Sequence, residues 1–287
     1  MLKQRIMTAL ILAPCALGAI LFLPIEYFQY AVVFVMGLGA YEWGNMSGLI
    51  QRRMKLFFTL LITTICLILS IVVPSEAIWQ QNDLHPLYFG TLGVAILWWL
   101  YSVVMIILYP KYSHFWQRSN LIRNIFGVFT LVPTWVAIVA LRTSLFEIDP
   151  FYGASLIFYV LGIVWAADIG AFFVGVKFGR TKLRPNVSPG KTYEGLAGGV
   201  VASLAIIAFA AMHYQVEPAR ISLHIIIGIV TVGISAMGDL NESMFKRCAG
   251  IKDSGRLLPG HGGVLDRIDS LTAAFPVFAF CYVVWMA

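Results

Sequence analysis

Charge is what this sequence has least of. Asp, Glu, Lys and Arg together make up 12% of its 287 residues, hydrophobic residues make up 60%, and the mean hydropathy is +0.83. Soluble domains carry about a quarter of their residues as charges, so this balance excludes a free-standing globular domain and points to a polytopic membrane protein. Cysteine is scarce too. Cys15, Cys66, Cys248 and Cys281 form no CxxC pair and three of them lie in apolar segments, which argues for packing roles and against a thiolate metal site. Alternating segments of about ten residues are missing, which excludes a transmembrane β-barrel. No internal repeat is visible, which removes support from a carrier built on inverted repeats. A P-loop is lacking as well: Gly190-Lys191-Thr192 has Pro185 where GxxxxGK[ST] requires glycine, and no strand is expected before it.

What the chain does have is a series of uncharged stretches long enough to cross the hydrocarbon core as helices at 1.5 Å per residue. The predicted fold class is therefore all-α, a polytopic integral membrane protein of about nine transmembrane helices. The spans are expected at 6–23, 27–45, 56–73, 88–109, 124–141, 152–175, 195–212, 221–237 and 271–286. Lys3 and Arg5 precede the first apolar run as they would in a signal peptide. No small-residue cleavage site follows, so the segment reads as a retained helix. With a cytoplasmic N-terminus, every Lys and Arg except Arg142 and Arg220 falls on the inner side. The positive-inside rule selects that topology, with the C-terminus outside. The chain reads as a single membrane domain over 1–287. Its N-terminal helices occupy 1–150, and a catalytic half, 151–287, carries two charge-rich cytoplasmic loops, 176–194 and 238–270.

The second of those loops is the exception to the scarcity of charge. Residues 238–270 hold five acids (Asp239, Glu242, Asp253, Asp266, Asp269) and five cations (Lys246, Arg247, Lys252, Arg256, Arg267), punctuated by glycine and proline. A solvated loop would be served by either sign alone. Interleaved signs suit metal-assisted phosphate chemistry, in which carboxylates hold a hard divalent cation and Lys and Arg neutralise the remaining phosphate oxygens. Asp239 and Glu242 are spaced i, i+3, as are Asp266 and Asp269, so helical extensions of the last two spans would offer each pair on one face to a shared cation. A set of Arg–carboxylate ties is the structural alternative.

Three further features bear on the chemistry. Asp168 stands inside the sixth span, at a cost of roughly 2.5 to 3.5 kcal/mol on insertion scales. A carboxylate at that depth either faces a polar cavity or ties two helices together. In the first charged loop, Ser188 and Thr192 offer hydroxyls, Gly190 allows close backbone approach and Lys191 places a cation where a helix begins. The alternative there is a basic stretch that binds anionic headgroups, worth about 1 kcal/mol per cation. His261, among glycines, is either a phosphate donor or proton-transfer group, or simply solvated.

These stretches carry a resemblance. Ser243-Met244-Phe245-Lys246-Arg247, Lys252-Asp253, Pro259-Gly260-His261-Gly262-Gly263 and Leu265-Asp266-Arg267-Ile268-Asp269 resemble, at their spacings, the signature of bacterial phosphatidate cytidylyltransferases, also called CDP-diacylglycerol synthases. Ser188-Pro189-Gly190-Lys191-Thr192-Tyr193-Glu194-Gly195 is similar to a second motif of that family, with Tyr193 where Trp is typical. Asp168-Ile169-Gly170-Ala171 is similar to a third, with Ile169 where a small hydroxyl residue is common.

The resemblance implies transfer of a cytidylyl group from CTP (or dCTP) to phosphatidic acid, giving CDP-diacylglycerol and pyrophosphate, at the inner face of a bacterial cytoplasmic membrane. It implies Mg²⁺, with a second cation as an option, on Asp239 and Asp266 supported by Asp168 and Asp269. Asp239, Asp266, Lys191 and Arg267 are then the expected catalytic set. Ser188, Thr192, Ser243, Lys246, Arg247, Lys252 and His261 are the expected substrate contacts. A homodimer in membrane lipid is implied, and no nucleic acid partner. The competing enzyme class is another membrane phosphotransferase. A CDP-alcohol phosphatidyltransferase would need a D-G-x-x-A-R run, which the chain lacks. A lipid-phosphate or ion transporter is the competitor from outside enzymology, and it would need several charges in mid-span.

Overall fold

The computed structural model describes residues 2–81 and 83–285. It contains nine long helices: α1 (Leu2–Phe22), α2 (Ile25–Met46), α3 (Arg52–Val72), α4 (Pro86–Leu108), α6 (Asn120–Thr143), α7 (Tyr152–Phe178), α8 (Tyr193–His213), α9 (Ile221–Cys248) and α10 (Leu265–Trp285). A one-turn α5 (His114–Gln117) precedes α6. The helices lie where the nine spans are expected, and seven of them, α3, α4 and α6 to α10, are long and apolar enough to cross a membrane by themselves. The chain is a multi-pass membrane protein. Helix α2 falls short of that apolarity because Glu26, Gln29, Glu42 and Asn45 interrupt it. Gln29 and Glu42 are buried against neighbouring helices, not against lipid.

Helices α6 and α10 form the centre, with most of their apolar windows buried, whereas α3 and α8 bury less than a third of theirs and face outward. One continuous core runs from Phe28 on α2 through Trp99, Leu131 and Trp135 to Phe278 and Tyr282 on α10. Helices α7 and α8 pack closely over small residues. A Cβ on Gly199 would stand 2.7 Å from the Ala167 carbonyl oxygen, so bare backbone is what allows the two helices to touch.

Hydrogen bonds between connections show which termini share an end. Asn120 donates to the Gly48 carbonyl, Arg184 to Ile107, Arg247 to Val187 and Asn45 to Ser254. These join residues 45–55, 107–123, 180–191 and 246–266 at one end, the basic end. At the opposite end Arg142 donates to the Ile20 and Pro150 carbonyls and Ser144 bonds Tyr282.

Two sequence expectations change here. The charged stretch 238–270 is not one loop. Helix α9 continues to Cys248 and α10 begins at Leu265, which leaves only 249–264 irregular. Apolar length marks where lipid ends, but the helix persists as long as its backbone bonds and packing hold. The first charged loop is shorter too, since α7 extends to Phe178, and it folds as an antiparallel hairpin. Its strands are β3 (Lys182–Arg184) and β4 (Ser188–Thr192), following the small outer pair β1 (Trp79–Gln80) and β2 (Asp83–Leu84). The Glu194 carboxylate secures it by accepting from the Arg180 and Thr181 amides at 3.1 Å.

Candidate active site

The charged end of α9 runs beside α10, and the crossing is set by Gly238. A Cβ there would lie 2.7 Å from the Asp269 carbonyl oxygen and 3.0 Å from Ala273 Cβ, so only glycine lets the helices approach this closely. The next residue, Asp239, is thereby brought into electrostatic reach of Asp269. Asp239 accepts from Ser243 Oγ at 3.2 Å, one turn further along, and pairs with Lys191 at 2.5 Å. Lys191 comes from β4, one residue before Thr192, whose Oγ1 accepts from the Gly195 amide and N-caps α8. The cap fixes the turn that carries the lysine to the carboxylate. Asp168, exposed on α7, joins Lys191 and Thr192 in lining a groove of about 240 Å³ between α7, α8 and α9. It takes no hydrogen bond from any described residue and lies within reach of both the Lys191 and Asp239 charges.

A second group sits deeper. Lys246 Nζ donates to Glu242 Oε1 at 3.0 Å and to Asp266 Oδ1 at 2.8 Å, with side-chain exposures of 11%, 5% and 7%. Asp266 also accepts from the Gly263 amide at 2.8 Å and from the Ser254 amide at 3.0 and 3.1 Å. Both of its oxygens are therefore engaged by protein donors. The i, i+3 spacing expected to put Asp239 with Glu242, and Asp266 with Asp269, on shared faces does bring all four carboxylates to one locality. Each pair is split, however: Glu242 and Asp266 share Lys246, while Asp239 goes to Lys191.

The remaining expected residues are more dispersed. Arg247, exposed, donates to the Val187 carbonyl at 3.2 Å and ties α9 to the hairpin. Ser188 begins β4, half-buried. Arg267 is exposed and donates to the His261 carbonyl at 3.1 Å, while His261 Nδ1 is shielded without a described partner. Lys252 is exposed on the 249–264 loop.

Five carboxylates (Asp168, Asp239, Glu242, Asp266, Asp269) thus face two lysines (Lys191, Lys246) in one contiguous region. That excess of negative charge and the oxygen-only donor set suit a hard divalent cation. No three such side chains stand close enough among the described residues to form a ready-made metal cluster. Among the described residues Asp168 and the second oxygens of Asp269 and Glu242 take no hydrogen bond, and Asp239 lies within electrostatic reach of Asp168 and Asp269.

Sequence reasoning overlooked Glu42. It lies on α2, in the half read as plain N-terminal helices, and is fully buried. It accepts from the Leu265 amide at 2.9 Å and from Ser254 Oγ at 3.2 Å. The available signal was an acidic residue inside an expected apolar span with no cation in that span. A larger cavity, about 810 Å³, lies at the opposite end among Glu26, Glu76, Glu147 and Trp79, with no Lys or Arg in its lining. That lining offers a phosphate no cation.

Comparison with known proteins adds to this geometry. The model of the family described as "Cytidylyltransferase family" matches residues 3–285. The chain belongs to that family. Within the cytidylyltransferase family it is 39% identical over 290 residues to the phosphatidate cytidylyltransferase of Haemophilus influenzae, covering 98% of this chain and 99% of the relative. It is 40% identical over 279 residues to the phosphatidate cytidylyltransferase of Pseudomonas aeruginosa, covering 97% and 96%. The enzyme of the same name from Bacillus subtilis is 43% identical over 129 residues, or 45% of this chain and 48% of that one.

Proposed function

We propose that this protein transfers the cytidylyl group of CTP to phosphatidate, giving CDP-diacylglycerol and pyrophosphate. The observation that carries the reading is the placement of Lys191 and Asp168 in the lining of a groove in the helix bundle, with Asp239 paired to Lys191, in a chain of the cytidylyltransferase family. One substrate is a lipid whose phosphate sits at headgroup depth and the other is a soluble polyanion. A groove at the end of the membrane helices, lined by Lys191 and Asp168, is where the two can meet.

In the reaction a phosphatidate oxygen forms a bond to the α-phosphorus of CTP and the bond from that phosphorus to the bridging oxygen of the β-phosphate breaks, so pyrophosphate leaves with the electron pair. The phosphatidate oxygen is already anionic at neutral pH and needs no strong general base. It needs alignment and relief from repulsion. Lys191 is the cation best placed to meet a phosphate, because its partner Asp239 is only partly shielded and the pair can open. Ser188 and Ser243 offer hydroxyls, Thr192 orders the turn, and Arg247, Lys252, His261 and Arg267 form the outer approach for the triphosphate.

The oxygen donors suit Mg²⁺, which Asp239, Asp269 and Asp168 would hold, supported by Asp266. It would supply charge neutralisation to the pyrophosphate as it departs. The basic end faces the cytoplasm, in agreement with the positive-inside rule, and the membrane is the bacterial inner membrane, where the protein acts as a homodimer.

The experiment uses purified protein in detergent micelles with phosphatidate, labelled CTP and Mg²⁺. Label should enter the lipid phase and pyrophosphate should appear only when both substrates are present. EDTA should stop the reaction and Mg²⁺ or Mn²⁺ should restore it. Pyrophosphate release that ignores phosphatidate would sink the reading, and turnover that survives EDTA would remove the metal from it.

A further inference from the structure

We propose that Glu42 is a positioning residue for this transfer: α2 uses it to hold the 249–264 loop and the first turn of α10 so that Asp266 meets Lys246. The inference rests on the reaction proposed above for the role of Asp266, and on the geometry for the rest.

Ser254 is the hub. Its amide donates to both oxygens of Asp266, its Oγ donates to Glu42 Oε2 at 3.2 Å, and its carbonyl accepts from Asn45 Nδ2 at 2.7 Å. Glu42 and Asn45 are three residues apart and so share one face of α2. Both ends of the clasp are anchored. Lys55 on α3 holds Asn45 Oδ1 at 2.5 Å, and Glu42 Oε2 takes the Leu265 amide at 2.9 Å. That amide is one of the unsatisfied donors at the start of α10, and a carboxylate there also complements the positive end of the helix.

Two glycines are cut to fit this carboxylate. A Cβ on Gly255 would stand 2.3 Å from Glu42 Oε1, and one on Gly263 would stand 2.5 Å from Oε2. The loop therefore closes on Glu42 with backbone alone. A fully buried carboxylate is costly, and here one oxygen, Oε2, is bonded to Leu265, next to Asp266, and to Ser254, which bonds Asp266, while Oε1 is shielded with no partner among the described residues. Without Glu42, Ser254 keeps one fewer tie and α10 loses its cap, so Asp266 is free to drift from Lys246. Drift of even about 1 Å is enough to cost 100-fold in a reaction that depends on alignment.

The test compares Glu42→Ala with Glu42→Gln in the purified full-length protein. Glutamine keeps a carbonyl oxygen for the Leu265 amide and the Ser254 hydroxyl, and alanine keeps neither. Glu42→Ala should lower kcat by at least about 100-fold with KM for CTP changed by less than about threefold, and Glu42→Gln should stay within about tenfold of wild type. Hydrogen exchange should show faster exchange over 249–264 and at Leu265 in the alanine variant, and wild-type exchange there in the glutamine variant. A folded Glu42→Ala protein with wild-type kcat overturns the proposal. So does a glutamine variant as inactive as alanine with unchanged exchange, because the charge itself would then be acting directly. Should Glu42→Ala fail to fold, Ser254→Ala carries the test, because it removes the hydroxyl tie to Glu42 and leaves the Ser254 amide on Asp266: kcat should fall and exchange over 249–264 should quicken. A folded Ser254→Ala protein with wild-type kcat and wild-type exchange overturns it. An inactive wild type would count against the proposed reaction, while the exchange contrast would still report on the clasp.

Discussion

The two lysines of the site live in different surroundings although both are bound to aspartate. Lys191 and Asp239 are each 28% exposed, and Lys191 lines an open groove, whereas Lys246 and its partners Glu242 and Asp266 are nearly enclosed. An ion pair at an interface can exchange its partner for a phosphate at little cost. A buried one cannot, because a charge left behind without a partner faces the full desolvation penalty. Under the proposed function, the difference separates a lysine placed to meet substrate from one that builds the floor under it. Sequence alone gave both lysines to the substrate.

The largest effect that would sharpen this contrast comes from the buried side. Lys246→Met leaves Glu242 and Asp266 enclosed without a cation, and should cost about 3 to 5 kcal/mol of stability, read as a fall of roughly ten degrees in melting temperature in detergent. A melting temperature equal to wild type would break the comparison, since Lys246 would then be no more structural than Lys191. Next comes Asp239→Asn, which keeps the shape and the Ser243 contact but removes the charge. Turnover should fall at least about 100-fold while the melting temperature stays within about two degrees of wild type. Near-normal turnover at limiting Mg²⁺ would move the cation to Asp168 and Asp269.

Lys191→Gln should lose about tenfold in kcat/KM for CTP, roughly the 1.4 kcal/mol of one charge-assisted contact, with no change in folding. The smallest effect is assigned to Lys182→Gln in β3, exposed on the same hairpin, where less than about a twofold change is expected because only diffuse attraction to the surface is lost. Equal losses at Lys182 and Lys191 would mean that the hairpin binds membrane and not substrate.

Much of this was legible beforehand. The long helices lie at the predicted positions, and seven of them are apolar and long enough to cross a membrane, because lipid sets a length and a composition that a chain displays openly. The family was readable from Ser243 to Asp269 because phosphate chemistry demands rare residue types at fixed spacings. The hairpin of β3 and β4 was not legible, since its strands of three and five residues have no apolar alternation and are held by Glu194, a tertiary contact. Nor was the continuation of α9 to Cys248, where charged residues on a helix look the same as charged residues in a loop.

By itself the sequence determined that this chain is a helical membrane protein, which family it belongs to, and which residue types gather at its basic end. These follow from local properties: hydropathy, charge and spacing. Only the tertiary structure decided how the carboxylates are shared out. The approach of α9 and α10 at Gly238 sets Asp239 beside Asp269 and gives it to Lys191, while Lys246 takes Glu242 and Asp266. Glu42 reaches Leu265 across 223 residues of chain, and no local pattern encodes that meeting. Helix packing brings those groups together, and packing depends on the absence of side-chain atoms at Gly238, Gly255 and Gly263 as much as on the groups that touch.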